Sequence, residues 1–266
     1  MSANGGQPFW FVLYLIVMNN ERIDKINENL SLIQKVDGLT FGTDAYLLYA
    51  YIRRKAGALG ADLGSGTGII SFLCLSKNKL SKVDCVEIQS EFCDLIKRNA
   101  ELNSLVDRVS VINKDVRELS GANYDIIFSN PPYMKNNSGM GNPSEMKNIA
   151  RREVFGDISD FCMAASKNLK FGGLFYCVYK ADRAVDLVFA MRSQGIEPKR
   201  ITFVYPDAMS RPSIVLVEGK KGASSGVFVT PALIMHMDSK APKLVDTDDL
   251  KYIYDNGEFH ERFINP

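Results

Sequence analysis

From residue 58 onward, short apolar runs alternate with segments whose apolar residues recur every three or four positions. The runs 58–63, 83–86, 109–112, 124–128 and 174–179 are predicted as buried strands. Between them, 69–76, 91–103, 158–170 and 183–194 carry the helical period. Ser90 ahead of Phe92, Leu95 and Ile96 predicts an N-capped amphipathic helix, and Gly172-Gly173 predicts the end of the 158–170 helix. Thr43 is expected to cap a helix from Asp44 to about Lys55, before the first strand. Strand–helix alternation of this kind predicts a doubly wound, mostly parallel sheet with helices on both faces. The stretches 201–204, 214–217 and 227–229, separated by Pro or Gly turns, predict a C-terminal antiparallel β-hairpin on the sheet edge.

The head of the chain breaks this pattern. Residues 9–18 (FWFVLYLIVM) are ten apolar residues in a row, half of the roughly 20 that a membrane-spanning helix requires. Residues 1–8 carry no Lys or Arg, which argues against a secretory signal. A packing strand, an oligomer contact or an upstream extension is expected, with Met18 as a natural start. Trp10 lies in this run and has no assigned role.

Composition narrows the class. A chain of 266 residues with 46% hydrophobic and 24% charged residues builds a sizeable core, so disordered, collagen-like and coiled-coil classes are excluded. The net charge of +1 gives no globally basic nucleic-acid binder, yet it leaves room for a local patch. Residues 134–221 hold 14 Lys/Arg against 9 Asp/Glu, and that is where the basic excess lies. Five cysteines, an odd number, are expected as buried thiols of a reducing, cytoplasmic compartment. With no CxxC pair and two histidines, no metal is expected. His236 and His260 are expected to serve surface or packing roles.

Candidate chemistry starts at Asp62-Leu-Gly64-Ser65-Gly66-Thr-Gly68, which follows a predicted strand and opens a predicted helix. A phosphate-binding loop would read GxGxxG and aim amides at a pyrophosphate. This loop reads DxGxGxG. An acid at Asp62 repels a phosphate and suits a ligand bearing an ammonium group; S-adenosylmethionine carries an ammonium and a sulfonium and no phosphate. Glu87 ends the second strand, 25 residues after Asp62, where a carboxylate can accept from both hydroxyls of a ribose. Asp115 follows the third strand and can accept from an adenine amino group. Three acids at three successive strand ends are more informative than the loop alone.

Asn130-Pro131-Pro132-Tyr133 follows the 124–128 strand. Tandem prolines stiffen the chain and remove two donors, which leaves the Asn130 amide oxygen and the Pro131 carbonyl free to accept. An exocyclic amine needs such acceptors, because its lone pair is delocalised and it is a poor nucleophile. Two acceptors hold its two hydrogens and favour a tetrahedral nitrogen whose lone pair can attack a sulfonium methyl. Placement and electrostatics then do most of the work, and no strong base is required. Tyr133 can stack on a planar base, worth about 1–3 kcal/mol.

The segment from Asp62 to Asp115 resembles the class I S-adenosylmethionine-dependent methyltransferases. That resemblance implies a Rossmann-like, seven-stranded, mostly parallel sheet. It also implies a cofactor site of Thr43, Asp62, Gly64, Ser65, Gly66, Gly68, Glu87, Ile88, Asp115, Val116 and Asn130. Gly42-Thr43-Asp44 resembles the segment that closes over the methionine end. With NPPY added, the chain is similar to the amino-methyltransferases, which act on adenine N6, guanine N2 or glutamine side-chain nitrogens. Over most of residues 21–235 it is similar to bacterial valine-tRNA adenine-37 N6-methyltransferases. The match rests on Glu21-Arg22-Ile23-Asp24, Asp37-Gly38, Phe41–Ala45, the glycine loop, NPPY, Ile149–Glu153, Arg211-Pro212 and Val217–Gly222. The implied partner is a tRNA loop adenine, with no membrane and a monomeric or homodimeric protein. The runner-up readings are a glutamine-N5 methyltransferase acting on a release factor, or another nucleic-acid adenine-N6/guanine-N2 methyltransferase; a further one is a methyltransferase-like RNA-binding protein without turnover.

This resemblance implies Asn130, Pro131, Pro132 and Tyr133 as catalytic residues. Lys135, Arg151, Arg152 and Arg211 are expected to bind substrate. Lys147 adds to the loop past NPPY, which would hinge at 136–141. Arg200, Lys220 and Lys221 would extend the patch across the sheet edge. The expected organisation is an N-terminal extension with a cap helix (1–57), a methyltransferase domain (58–235) and a C-terminal tail packed on it (236–266).

Overall fold

Residues 21–36, 42–132 and 156–265 are described by the computed structural model. In chain order the elements are a hairpin of β1 (Glu21–Asn27) and β2 (Leu30–Lys35), α1 (Thr43–Tyr51), β3 (Leu59–Leu63), α2 (Ile69–Ser76), β4 (Lys82–Glu87), α3 (Ser90–Leu102), β5 (Val109–Asn113) and β6 (Tyr124–Ser129). They continue with α4 (Ile158–Asn168), β7 (Leu169–Lys180), α5 (Ala184–Ser193), β8 (Ile196–Tyr205), β9 (Ile214–Lys221), β10 (Phe228–Val229), β11 (Leu233–Ile234) and α6 (Asp248–Asn256).

The main sheet has the order β10-β8-β9-β7-β6-β3-β4-β5, with β11 also paired to β8. Seven strands of five or more residues, β3 to β9, form its body. The two-residue strands β10 and β11 pair parallel to β8, so the sheet has nine strands instead of the expected seven. β9 runs antiparallel between β7 and β8, which is the expected C-terminal hairpin. Both faces of the sheet are buried, as the continuous apolar runs require. Ile126 and Phe128 join Tyr176 and Val178 on one face, under α1, α2 and α6. Ile127 joins Phe175 and Cys177 on the other, under α4 and α5. All five cysteines are buried and free. Among the described residues, no helix is long and apolar enough to cross a membrane.

Local expectations fail where tertiary contacts decide. α4 stops at Asn168, and β7 already begins at Leu169. Gly172-Gly173 makes an excursion inside the strand, where the register passes from Tyr124↔Leu169 to Ile126↔Leu174. A Cβ at Gly173 would stand 2.9 Å from the Lys170 carbonyl oxygen. Gln89, not Ser90, is the N-cap of α3, and Gly42, not Thr43, is that of α1. α1 ends at Tyr51, four residues short of Lys55, and the Lys79 ammonium caps it by donating to the carbonyls of Tyr49, Ala50 and Ile52.

The β1–β2 hairpin has no counterpart in the predicted elements. It packs on α3 through Ile33 and Leu95. Two asparagines one helical turn apart read the edge of β2 as a neighbouring strand would. Asn99 accepts from the Ile33 amide at 2.7 Å and donates to its carbonyl at 3.2 Å. Asn103 does the same with Ser31, at 3.0 and 2.7 Å. Asn99 is fully buried, so Asn99→Ala leaves an unpaired amide in the interior. The expected loss is about 1–3 kcal/mol in urea unfolding, with faster hydrogen exchange at the Ile33 amide. A loss under about 0.5 kcal/mol would show that the Asn99 bonds add little to what the Asn103 bonds and the apolar contacts supply.

Arg200 corrects the expected basic patch. It is 1% exposed and ion-paired to Glu218 across the β8–β9 ladder at 2.8 Å. It also donates to the carbonyls of Tyr51 and Phe263. Arg53 pairs with the same Glu218 at 3.0 Å and reaches the Ile264 carbonyl. This network, buried at Arg200 and Glu218, ties the end of α1 and the C-terminal segment to the sheet. Lys220 and Lys221 pair with Leu174 and Ile196, at the amino edge of the sheet. Lys221 donates to the carbonyls of Ser166 and Leu169.

Candidate active site

The chain runs from β3 outward through β4 to β5, then returns to place β6 on the other flank of β3. Strand order therefore reverses between β3 and β6, and a crevice opens there at the carboxyl ends of the strands. The glycine loop leaves β3 and Asn130 leaves β6, so both motifs reach the same crevice. The Ser129 hydroxyl donates to the Leu63 carbonyl at 2.7 Å and fastens one strand end to the other.

The loop is held from the β4 side. The amides of Gly64 and Ser65 both donate to the Val86 carbonyl, at 2.9 and 3.1 Å. The Ser65 hydroxyl donates to the carbonyls of Asp62 and Val86. Gly68 is the N-cap of α2 with φ +78°, and a Cβ there would stand 2.9 Å from the Phe72 ring. Glycine is needed at that position on both counts.

Asp62 is 1% exposed and accepts from the Ser71 hydroxyl at 2.7 Å. Burial pushes its carboxyl up to about 7; the Ser71 hydrogen bond pulls the other way, and the Glu87 charge pushes it further up. Glu87 is buried at the end of β4. One of its oxygens accepts from the Gly66 amide at 2.8 Å and the other from the Gln89 amide at 2.9 Å. Each oxygen keeps a second lone pair for a hydroxyl. Ile88 is exposed beside it, while Val116 is buried in the core.

Asp115 is half-buried beyond β5. It accepts from the Arg117 amide at 2.8 Å and is ion-paired to the Arg117 guanidinium, whose hydrogen bond holds its carboxyl below the usual range. An adenine amino group approaching Asp115 has to share that carboxylate with Arg117.

Asn130 is half-buried, and its Nδ2 donates to Asp44 Oδ2 at 3.0 Å. Pro131 is buried and Pro132 exposed. Thr43 is exposed in the first turn of α1. Tyr133, Lys135, Lys147, Arg151 and Arg152 lie outside the described residues, as do the 136–141 hinge and the 1–18 head. Arg211 is exposed in the 206–213 connection between β8 and β9, on the same edge as Asn130. Two to three strand spacings, about 10–14 Å, separate it from β6. The expected patch is therefore split: Arg211 on the crevice edge, Lys220 and Lys221 on the opposite edge, and Arg200 inside.

His236 Nδ1 pairs with Asp246 at 2.9 Å beyond β11, and His260 stacks on Tyr252 at 3.6 Å. Among the described residues, no three or more His, Cys, Asp or Glu side chains gather as a metal site requires. Ser71, the partner of Asp62, carries no assignment in the sequence reading, and Asp44, expected there in the segment that closes over the methionine end, is the partner of Asn130. Ser71 carries a signal, as the one hydroxyl in the run from Ile69 to Leu75 that is otherwise apolar.

The donor set fits S-adenosylmethionine. A buried carboxyl that resists ionisation when alone calls for a cationic partner, and Asp62 stands at the mouth of the loop. The pattern of the methyltransferase small domain family matches residues 36–186, more than half of the chain. The chain belongs to that family. It is a methyltransferase, and its methyl donor is S-adenosylmethionine. Among its relatives is the tRNA1(Val) (adenine(37)-N6)-methyltransferase of Phocaeicola vulgatus, 28% identical over 180 residues, or 67% of this chain and 76% of that protein. Among solved structures, a predicted O-methyltransferase from Agrobacterium tumefaciens has a TM-score of 0.63 at 20% identity, covering 82% of this chain and 98% of that one. M. jannaschii TYW2 in complex with AdoMet has a TM-score of 0.53 at 15% identity, covering 76% and 85%. These two likenesses show the methyltransferase's fold.

Proposed function

We propose that this methyltransferase acts on the exocyclic N6 of an adenine, adenine 37 in the anticodon loop of a valine tRNA. The observation that carries the reading is Asn130 at the end of β6, beside the Asp62 loop, with its amide NH2 turned to Asp44. Its Oδ1 is then the acceptor for a hydrogen of the target amine, and the Pro131 carbonyl is the second. Tyr133 stacks on the base. Asp62, Gly64, Gly66 and Glu87 hold the cofactor, with Thr43, Ser65, Gly68, Ile88, Asp115 and Val116 around it. S-adenosylmethionine supplies the electrophilic methyl group. The two acceptors pull the amine hydrogens out of the base plane, so the nitrogen lone pair is freed from the ring. The methylated nitrogen is acidic and loses its proton to water. The P. vulgatus relative, whose name carries this reaction, supports the choice of adenine over glutamine. Lys135, Arg151, Arg152 and Arg211 contact the RNA strand.

Labelled methyl transfer into bulk tRNA, DNA and a release factor, run side by side, tests this. Label is expected in tRNA alone, recovered as N6-methyladenosine by mass spectrometry of the nucleosides. Label in the release factor instead would establish the glutamine reading, and label in DNA would remove the tRNA assignment.

A further inference from the structure

We infer that Asp44 is the positioning residue for Asn130, turning the Asn130 amide oxygen toward the target amine and polarising it. The inference rests on the reading of Asn130 as an acceptor for that amine. A carboxylate only accepts, so the side of Asn130 that faces Asp44 Oδ2 at 3.0 Å must be the NH2 side. Eighty-six residues separate the two in sequence, so the contact is made by the fold and not by chain proximity.

Gly42 is an independent mark of the same arrangement. Its backbone lies at φ −92° and ψ 175°, a conformation open to any residue. Yet a Cβ there would stand 2.6 Å from Asp44 Oδ1. Glycine at this position serves space for the carboxylate, not backbone freedom. That oxygen also accepts from the Ala45 amide at 2.9 Å, which fixes the carboxylate while Oδ2 reaches Asn130.

Two effects on the reaction follow. Without Asp44, the Asn130 amide can present either end. The wrong end sets NH2 against NH2. A choice between two equal orientations costs only about twofold in rate, by the exponential law for rates. The larger effect is charge. An anion on the NH2 side drives electron density onto Oδ1, strengthening it as an acceptor just as the target nitrogen becomes positive. Loss of a hydrogen bond to a charged group corresponds to about a 10- to 100-fold fall in kcat.

A double-mutant cycle on the acceptor that the wild-type protein methylates is the kinetic test. Asp44→Ala is expected to lower kcat about 10- to 100-fold while the Kd for S-adenosylmethionine, measured by calorimetry, moves less than about threefold. Gly42→Ala, which keeps Asp44 but crowds its carboxylate, is expected to lower kcat in the same direction. In an Asn130→Ala background, Asp44→Ala is expected to add less than about a twofold loss. Multiplying losses, or a Kd that rises as far as kcat falls, would overturn the role. An acceptor-free arm separates this from the substrate reading: the Asn130 side-chain amide signal in 15N spectra, identified by its disappearance in Asn130→Ala, is expected to move in Asp44→Ala. An unmoved signal removes the inference even where tRNA is methylated, whereas failure of all three acceptors with a moved signal removes only the substrate reading.

Discussion

Asn130→Ala is expected to lower kcat for methyl transfer by about a thousandfold, with the Kd for S-adenosylmethionine changed by less than about threefold. The size follows from what the side chain does. Removing one preorganised hydrogen-bond partner from a site of developing charge typically costs about 10²–10³ in rate, and in the proposed role the same atom both orients the amine and frees its lone pair. The residues proposed to hold the cofactor most directly are Asp62, the glycine loop and Glu87, and their partners Ser71, Val86, Gly66 and Gln89 do not involve residue 130. Asn130 is half-buried and ends a strand that Ser129 already fastens to Leu63, so truncation does not loosen the crevice. Single-turnover transfer and isothermal calorimetry on the same preparation separate the two quantities. An equal loss of rate and of cofactor affinity would move Asn130 out of the amine site and into the cofactor site.

The parts of the crevice that were legible from sequence are those written in local patterns. Asp62, Glu87 and Asp115 each follow a short apolar run, and a parallel sheet must bring successive strand ends to one edge. Asn130, Pro131 and Pro132 after the next run join them for the same reason. What was not legible depends on strand direction and on distant partners. Lys220 and Lys221 follow an apolar run just as Glu87 does, but β9 runs antiparallel, so the same pattern delivers them to the opposite edge. Arg200 reads as a surface charge until Glu218, on the neighbouring strand, and the carbonyls of Tyr51 and Phe263 neutralise it from 149 and 63 residues away. The β1–β2 hairpin is legible only once Asn99 and Asn103 on α3 are seen as the partners of its edge. Gly172-Gly173 signalled a turn correctly but not its setting, since an excursion within a strand and a helix end share the same residues.

The second large effect is one of pH and follows from Asp62. Its carboxyl is pushed up to about 7 in the ligand-free protein, from an ordinary value of 3.8, chiefly by burial. The folded chain therefore keeps a proton on Asp62 between about pH 4 and 7 where the unfolded chain has lost it. Proton binding to the folded state is the greater in that window, so stability falls as pH rises through it and is level above. The difference between these two values corresponds to at most about 4 kcal/mol. Asp62→Asn has nothing to titrate and keeps an oxygen for the Ser71 hydroxyl. It is expected to equal the wild type in unfolding free energy near pH 4 and to exceed it progressively up to pH 7. With the cofactor's ammonium group on Asp62, as proposed, cofactor affinity is expected to run the other way, because the ammonium favours the carboxylate. Between pH 5 and 7 the Kd for S-adenosylmethionine is expected to tighten by about tenfold per unit, with a proton released on binding. Above about pH 8 the α-amino group of the ligand loses its own proton and affinity declines again. Calorimetry in two buffers of different ionisation enthalpy reads the released proton directly. A Kd that stays flat from pH 5 to 7, with no proton released, would mean that Asp62 is already ionised in the empty crevice. The loop would then hold its ligand without drawing on a carboxyl destabilised by its burial.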